Sequence, residues 1–369
     1  VSFICSHRMT DILINELSNT DINWLIAAGQ QQQITTGTVL LQARETPRAL
    51  YLLLDGILSM NVSPNRHDCA DASPDSASQE NEEITRLSRG EIIGETLLFN
   101  IQPLATIVKA VENSIVLLIP QHKLTAKLQQ DNHFSTRFYR SIALILSKRL
   151  QQMLSMPDQL RAAMDQPIKE AIFLFGELQD SDADWLVAVG HLEKLAPNTV
   201  LIQAGRPIDT LYIILDGLLS MAVYEGDINP LTLCFECVEK NAGIQKVIDY
   251  LSRGEMSGAI SLLNLSLPPI TVRAIEESLV LAIPRSQLAM KLQQDMGFAS
   301  RFYRVLAIQL LQTLQTAIEL LGCPQQMLQA HSDMDEAMEY DDELNLDSLN
   351  QVAQGAARFN WMLKRLGVM

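Results

Sequence analysis

Few residues in this chain have the type and spacing for chemistry, and none gathers into a catalytic set. The six histidines (His7, His67, His122, His133, His191 and His331) are scattered. A metal site on a β-barrel would need two of them close together on one strand with a carboxylate nearby. No pair meets that. The five cysteines (Cys5, Cys69, Cys234, Cys237 and Cys323) are an odd number at irregular spacing. Cys234-Phe-Glu-Cys237 is the only CxxC, and no second CxxC or paired histidine completes a zinc site around it. Ordinary reduced thiols are expected. No Ser/His/Asp or Cys/His nucleophile set can be placed, since Cys69 falls in an acidic loop. The residues read as a non-enzyme, with no metal and no resident cofactor.

The composition sets the class. Of 369 residues, 47% are hydrophobic and 19% charged, which fits a folded chain with room for two or three domains. Apolar runs such as SIVLLI are too short to span a bilayer, so no membrane insertion is expected. The first residues lack the pattern of a secretion signal, and a cytoplasmic, bacterial protein is the default expectation. A formal charge of −15 argues against nucleic acid as the main partner, because phosphate contacts need a basic face. The acidity concentrates in Asp68 to Glu83 and Asp333 to Asp347, which read as solvated loops or linkers.

The elements that would position any site occur twice. ALYLLLDGILSM (Ala49 to Met60) returns as TLYIILDGLLSM (Thr210 to Met221), and Trp24 and Trp185 keep the same spacing of 161 residues. By LSRGE (Leu87 and Leu251), KLQQD (Lys127 and Lys291) and RFYR (Arg137 and Arg301) the spacing is 164. A repeat of that length is a domain duplication, not a solenoid. Each copy reads as short helices, then short strands, then helices. Val39 to Gln42 and Leu50 to Leu54 are apolar strands, Arg44 to Pro47 is a turn, and Asp55-Gly56 has the composition of a hairpin turn. After Pro120 the apolar spacing becomes helical: Leu124, Leu128, Phe134, Phe138, Ile142, Ile145, Leu146 and Leu150.

In copy 1, GTVLLQARETPRALYLLLDGILSM, RLSRGEIIGETLLF and ATIVKAVENSIVLLIPQHKL follow one another in an order that resembles the cyclic-nucleotide-binding domain family. That family includes the sensor half of the catabolite activator protein and the regulatory subunit of protein kinase A. The resemblance covers about residues 15–155 and 176–320. It implies a mainly β chain with α: two antiparallel double-stranded β-helix (jelly-roll) barrels, each flanked by helices, plus a C-terminal helical tail. The divisions expected are domain 1 at 10–160, domain 2 at 171–325, an acidic linker at 326–347 and an amphipathic helix at 348–369.

The resemblance also implies a pocket. In the family a Gly-Glu, a short helix and an Arg before the next strand cradle a cyclic phosphate, with the Glu on the ribose hydroxyl. Helix-start N–H groups and a forked guanidinium suit an anion. Copy 1 keeps Gly94, Glu95, Thr96 and Leu97, but its arginine position falls on Leu104, followed by Ala105 and Thr106. Copy 2 departs further, with Gly258, Ala259 and Ile260 at the cassette and Pro268 and Pro269 at the arginine position. Losing the Arg–phosphate fork costs about a hundredfold or more in affinity. Cyclic AMP or cyclic GMP as a regulatory ligand is therefore expected in copy 1 only, if at all. Lys109 and Arg273 should point away from the pockets on strand alternation.

The helices RFYRSIALILSKRLQQML and RFYRVLAIQLLQTLQTAIELL stand where the family's long dimerisation helix lies, and pairing within the chain is the favoured reading. The tail carries Phe359, Trp361, Met362, Leu363 and Leu366 beside Arg358, Lys364 and Arg365. It reads either as a docking peptide for a partner protein or as a helix folded back on its own barrels. The functional expectation is a regulatory or scaffolding protein whose partner meets the helices or residues 348–369. The alternative is a transcription regulator of the activator type with a minimal DNA-contacting tail, for which Gly355 would have to mark a helix-turn-helix.

Overall fold

A computed structural model describes residues 10–62, 83–99, 101, 103–154, 171–224, 245–264, 266–322 and 346–368. Both acidic segments, apart from Glu83 and the helix start at Leu346, and all five cysteines lie outside the described residues.

Copy 1 begins with helices α1 (Thr10–Glu16) and α2 (Asn19–Ala28). Strands follow as β1 (Gln30–Ile34), β2 (Val39–Leu41), β3 (Ala49–Asp55), β4 (Leu58–Val62), β5 (Glu83–Leu87), β6 (Ile92–Ile93), β7 (Thr106–Ala110) and β8 (Ser114–Pro120). Helices α3 (Gln121–Gln130) and α4 (Asn132–Leu154) close the copy. The eight residues whose spacing predicted helix after Pro120 are all buried on α3 and α4. Copy 2 repeats the order with α5 (Asp180–Val189), β9 (His191–Leu195), β10 (Val200–Ile202), β11 (Thr210–Asp216) and β12 (Leu219–Tyr224). It continues through β13 (Gln245–Leu251), β14 (Met256–Ser257), α6 (Ala259–Asn264), β15 (Thr271–Ala274), β16 (Ser278–Pro284), α7 (Arg285–Gln294) and α8 (Met296–Gly322). A last helix, α9 (Leu346–Arg365), follows.

Each barrel is two four-stranded antiparallel sheets. Copy 1 orders them β1-β8-β3-β6 and β2-β7-β4-β5, and copy 2 orders them β9-β16-β11-β14 and β10-β15-β12-β13. The two-barrel jelly-roll architecture inferred from the sequence is thus present. One local expectation is corrected. Asp55-Gly56 is not a hairpin turn, because β3 pairs with β6 and β8 while β4 pairs with β5 and β7. The dipeptide instead carries the chain across a corner from one sheet to the other. Gly56 (φ +94°) and Gly217 (φ +90°) suit that corner, since a Cβ at either would lie closer than 3.0 Å to the backbone of Ser114 or Ser278. The short-range signal identified the turn correctly but not its destination.

The repeated motifs prove to be framework. Lys127 Nζ sits 2.8 Å from Asp131 and over the Trp24 and Phe134 rings, and Lys291 does the same with Asp295, Trp185 and Phe298. The Asp131 and Asp295 carboxylates then accept from the Phe134 and Phe298 N–H groups, which caps α4 and α8. The first Arg of RFYR forks onto a buried aspartate: Arg137 on Asp21 at 2.7 and 3.1 Å, Arg301 on Asp182 at 2.6 and 2.9 Å. Burial pushes the Asp21 carboxyl up, but hydrogen bonds from Arg137 and Ser18 outweigh it and hold the pKa below its ordinary value.

The second Arg of RFYR builds the seam between copies. Helices α4 and α8 pack along each other. Arg140 pairs with Glu16 in its own copy, and its charge reaches Tyr303 of the other. In mirror fashion Arg304 pairs with Glu177 at 2.9 Å and bonds the Tyr139 hydroxyl at 3.4 Å. Ser135 and Ser300 share a buried hydroxyl bond of 2.7 Å, and the Thr136 hydroxyl donates to the Met296 carbonyl. The pairing within the chain that the sequence favoured is what the structure contains. Among the described residues no helix is long and apolar enough to cross a membrane.

Candidate functional site

The copy 1 cassette sits between β6 and β7. Gly94 (φ +84°) turns the chain into a single 3-10 turn, Glu95–Leu98, so the helix start suggested by resemblance is only four residues long. Gly94, Glu95, Thr96, Leu104 and Thr106 line one small cavity together with Met60, Ile93 and Val108. Leu97 and Ala105 do not line it. Leu97 is buried, and its carbonyl accepts from the Gln121 side chain at 3.2 Å. The cavity volume is about 30 Å³. One water needs roughly 10–15 Å³ and small-molecule sites run to about 300–1,000 Å³, so this space is water-sized. Lys109 is exposed, and Arg273 bonds the Asn198 carbonyl at 2.9 Å, so neither serves a pocket.

The missing arginine has a substitute that sequence reasoning did not find. Arg149, on α4, is 2% exposed and its Nη1 lies 2.6 Å from Glu95 Oε1. Its Nη2 donates to the Ile92 carbonyl and lies 3.5 Å from Glu91 Oε2. Glu91 is 1% exposed, and neither of its oxygens has a hydrogen-bond partner among the described residues. Burial pushes the Glu91 pKa up, while Arg149 and Lys148 pull it back only in part. Leu104 removes the family's arginine, yet a guanidinium from α4 reaches the turn after Gly94 all the same. The guanidinium is nonetheless consumed: it meets two carboxylates and a carbonyl, and it does not line the cavity. A phosphate would have to take the guanidinium from Glu95 and from the Ile92 carbonyl.

Copy 2 solves the same position without charge. Ala259 stands at the Glu95 position and Thr313 at the Arg149 position. Gln309, one helical turn earlier on α8, bonds both the N–H and the carbonyl of Met256 at 3.0 and 2.7 Å. That carbonyl is the equivalent of the one that Arg149 holds in copy 1. Gly258, Ala259, Ile260, Pro268 and Pro269 line a mostly apolar cavity of about 60 Å³, walled in part by Leu150 and Leu154 of copy 1. Glu255, in the second LSRGE, accepts from the Ser252 N–H at 2.7 Å, and burial pushes its pKa up to about 8.

The tail does not project. In α9, Phe359, Met362 and Leu363 are buried, and Phe359 meets Phe175 edge-on at 5.1 Å with Arg253 over its ring. Arg358, offered by the sequence as a DNA contact, bonds Asp180 at 2.7 Å and the carbonyls of Phe175 and Gly176 at 3.1 Å. The helix runs unbroken through Gly355, so no helix-turn-helix forms there. Of the two readings of the tail, the structure has the one folded back on its own barrel. The backbone approach is close enough that a Cβ at Gly176 would collide with the Gln351 carbonyl.

Comparison with known proteins agrees with two barrels of one kind. The family model described as cyclic nucleotide-binding domain matches residues 31–131 and 192–295, together more than half of the chain. The chain belongs to the cyclic nucleotide-binding domain family, in tandem form. No curated protein matches it significantly. Among solved structures it is similar to the regulatory domain of Toxoplasma gondii PKA with cAMP, at 16% identity, covering 78% of this chain and 89% of that one with a TM-score of 0.27. It is also similar to the regulatory subunit of a cAMP-independent protein kinase A from Trypanosoma cruzi bound to guanosine (16%, 77% and 81%, TM-score 0.28). The Thermus thermophilus catabolite activator protein matches over 50% of this chain and 75% of its own at 16% identity, with a TM-score of 0.31.

Proposed function

We propose that this chain is a non-enzymatic regulatory scaffold in which both cyclic-nucleotide-binding domains work without a nucleotide. The observation that carries the reading is the Arg149–Glu95 pair at 2.6 Å beside a water-sized cavity. The cassette, which in a sensor would close on a ligand and move the following helix, is here tied to that helix from within. Copy 2 supports the same reading, since Ala259 and Pro268 leave neither a ribose acceptor nor a phosphate cation.

Glu95 favours a second reading for copy 1 alone. A cyclic nucleotide whose ribose took Glu95 would have to displace Arg149 and would thereby release α4 from the cassette. Calorimetry with cyclic AMP and cyclic GMP separates the two. The scaffold reading expects no heat from the full chain. Saturable heat that disappears in Glu95→Ala supports the sensor and defeats the scaffold. The activator-type alternative expects a salt-resistant mobility shift with duplex DNA, and with Arg358 engaged by Asp180 none is expected.

A further inference from the structure

Copy 2 carries an amphipathic helix, α9, in a groove made by the turn Ile172–Gly176, helix α5 and Arg253. The duplication places the same groove on copy 1. There Leu13, Ile14, Leu17, Leu25, Ile26 and Arg89 line an apolar depression of about 350 Å³, with nothing among the described residues seated in it. Equivalent positions measure the difference. Phe175 is 0% exposed under Phe359, whereas Ile14 at the matching position is 57% exposed. Ile26 is 60% exposed, while its counterpart Val187 is half-buried. Arg253 lies over the Phe359 ring, and its counterpart Arg89 is exposed at the rim.

We propose that the copy 1 groove docks an amphipathic helix of a partner protein, one with an aromatic side chain over Arg89 and an acidic residue beside it. Charge selects that occupant. Among the described residues Arg89 is the one charged side chain in the lining. In copy 2 the helix brings its own arginine to Asp180, but copy 1 has Asn19 there, so a basic residue loses its carboxylate partner while Arg89 stays beside it. The helix α9 of a second copy is a poor fit for three reasons. It carries Arg358, Lys364 and Arg365, and it approaches Gly176 so closely that Asn15, the copy 1 equivalent, would hold it off. Its apolar face is also already spent on its own copy 2.

The test uses the full chain carrying Asn15→Gly, which gives copy 1 the glycine of copy 2 and admits a helix of the α9 shape, and two labelled synthetic peptides of residues 346–368, one native and one carrying Arg358→Glu. The altered peptide mimics the acidic occupant and also loses the Asp180 contact, so it competes poorly for the copy 2 groove. Saturable anisotropy is expected for the altered peptide, at least tenfold weaker for the native one. Ile14→Glu or Ile26→Glu in the chain should weaken it at least tenfold. Both isoleucines are more than half exposed, so these variants should fold with unchanged melting temperature. Any of the following overturns the proposal: no saturable binding of the altered peptide, binding indifferent to both substitutions, or equal binding of the native peptide. Self-association of the chain that Ile14→Glu reverses would assign the groove to a second copy. Binding that emerges only after residues 1–9 are removed would assign it to the chain's own N-terminal segment.

Discussion

Arg149→Thr gives copy 1 the residue that copy 2 has at the same place, while leaving Glu95 behind. Glu95 is 3% exposed and Glu91 1%, so the substitution strands two buried carboxyls where one guanidinium had served both. Removing one partner of a buried pair costs about 3–5 kcal/mol. Glu95→Ala alone is milder, about 2 kcal/mol, because Glu91 remains 3.5 Å from the orphaned guanidinium. The double variant copies the Ala259/Thr313 solution and leaves one buried carboxyl, Glu91, where Arg149→Thr alone leaves two. It should therefore cost no more than Arg149→Thr alone, about 3–5 kcal/mol. The singles and the double therefore imply a coupling of about 2 kcal/mol or more. Urea denaturation of the full chain gives the cycle, and hydrogen exchange of the Ile92–Leu98 amides gives a local reading of the same energy. If the two substitutions add to within about 0.5 kcal/mol, Arg149 is not holding the cassette and the reasoning fails.

The buried carboxyl Glu255 should make stability fall with rising pH. Its folded pKa of about 8 lies above the unfolded value, so the folded state binds the extra proton between about pH 4.5 and 8. Its contribution is complete below that window and declines through it with a slope approaching about 1.4 kcal/mol per pH unit. Glu255→Gln should flatten that limb in urea midpoints taken across the range, and an unchanged slope refutes the assignment. Asp21, whose pKa is lowered, acts in the opposite sense and loses its contribution on acidification. Arg301→Ala strips Asp182, 1% exposed, of its fork and should cost about 1.5–3 kcal/mol, more than the same change at exposed Arg86 in a parallel melt. Gly176→Val should dislodge α9, read as rapid proteolysis within residues 346–368 while the α4–α8 seam stays protected; an intact tail would refute the close-approach argument.

The two barrels were legible because duplication tests every motif twice. The strand block and the helical spacing after Pro120 emerge from pattern alone, whereas the jelly-roll fold and the pairing of the RFYR helices rest on the family resemblance and the tandem linkage. What sequence could not place was direction across space. Asp55-Gly56 announces a turn, but nothing local says whether the next strand pairs back or crosses to the other sheet. Arg149 is 54 residues from Glu95 and looks like one more charge on an amphipathic helix. A signal did exist: copy 2 lacks both members of the pair, with Ala259 and Thr313 in their places. The folded-back tail was legible only as one of two readings, since Gly176 becomes informative once the Gln351 carbonyl is known to press on it. Leu97 and Ala105 entered the site by adjacency, and neither lines the cavity.

Fusing the halves also changes how the seam can evolve. In a homodimer each substitution arrives at both ends of the two-fold axis, so a device used by one subunit must be tolerated by the other. Here the helices meet as unequal twins. One end binds a cassette with a buried ion pair, the other with a single glutamine; one groove holds the chain's own tail, and among the described residues its double holds none. Asymmetry of that sort is unavailable to a symmetric dimer, and it lets one polypeptide present two different faces about a common axle at any dilution.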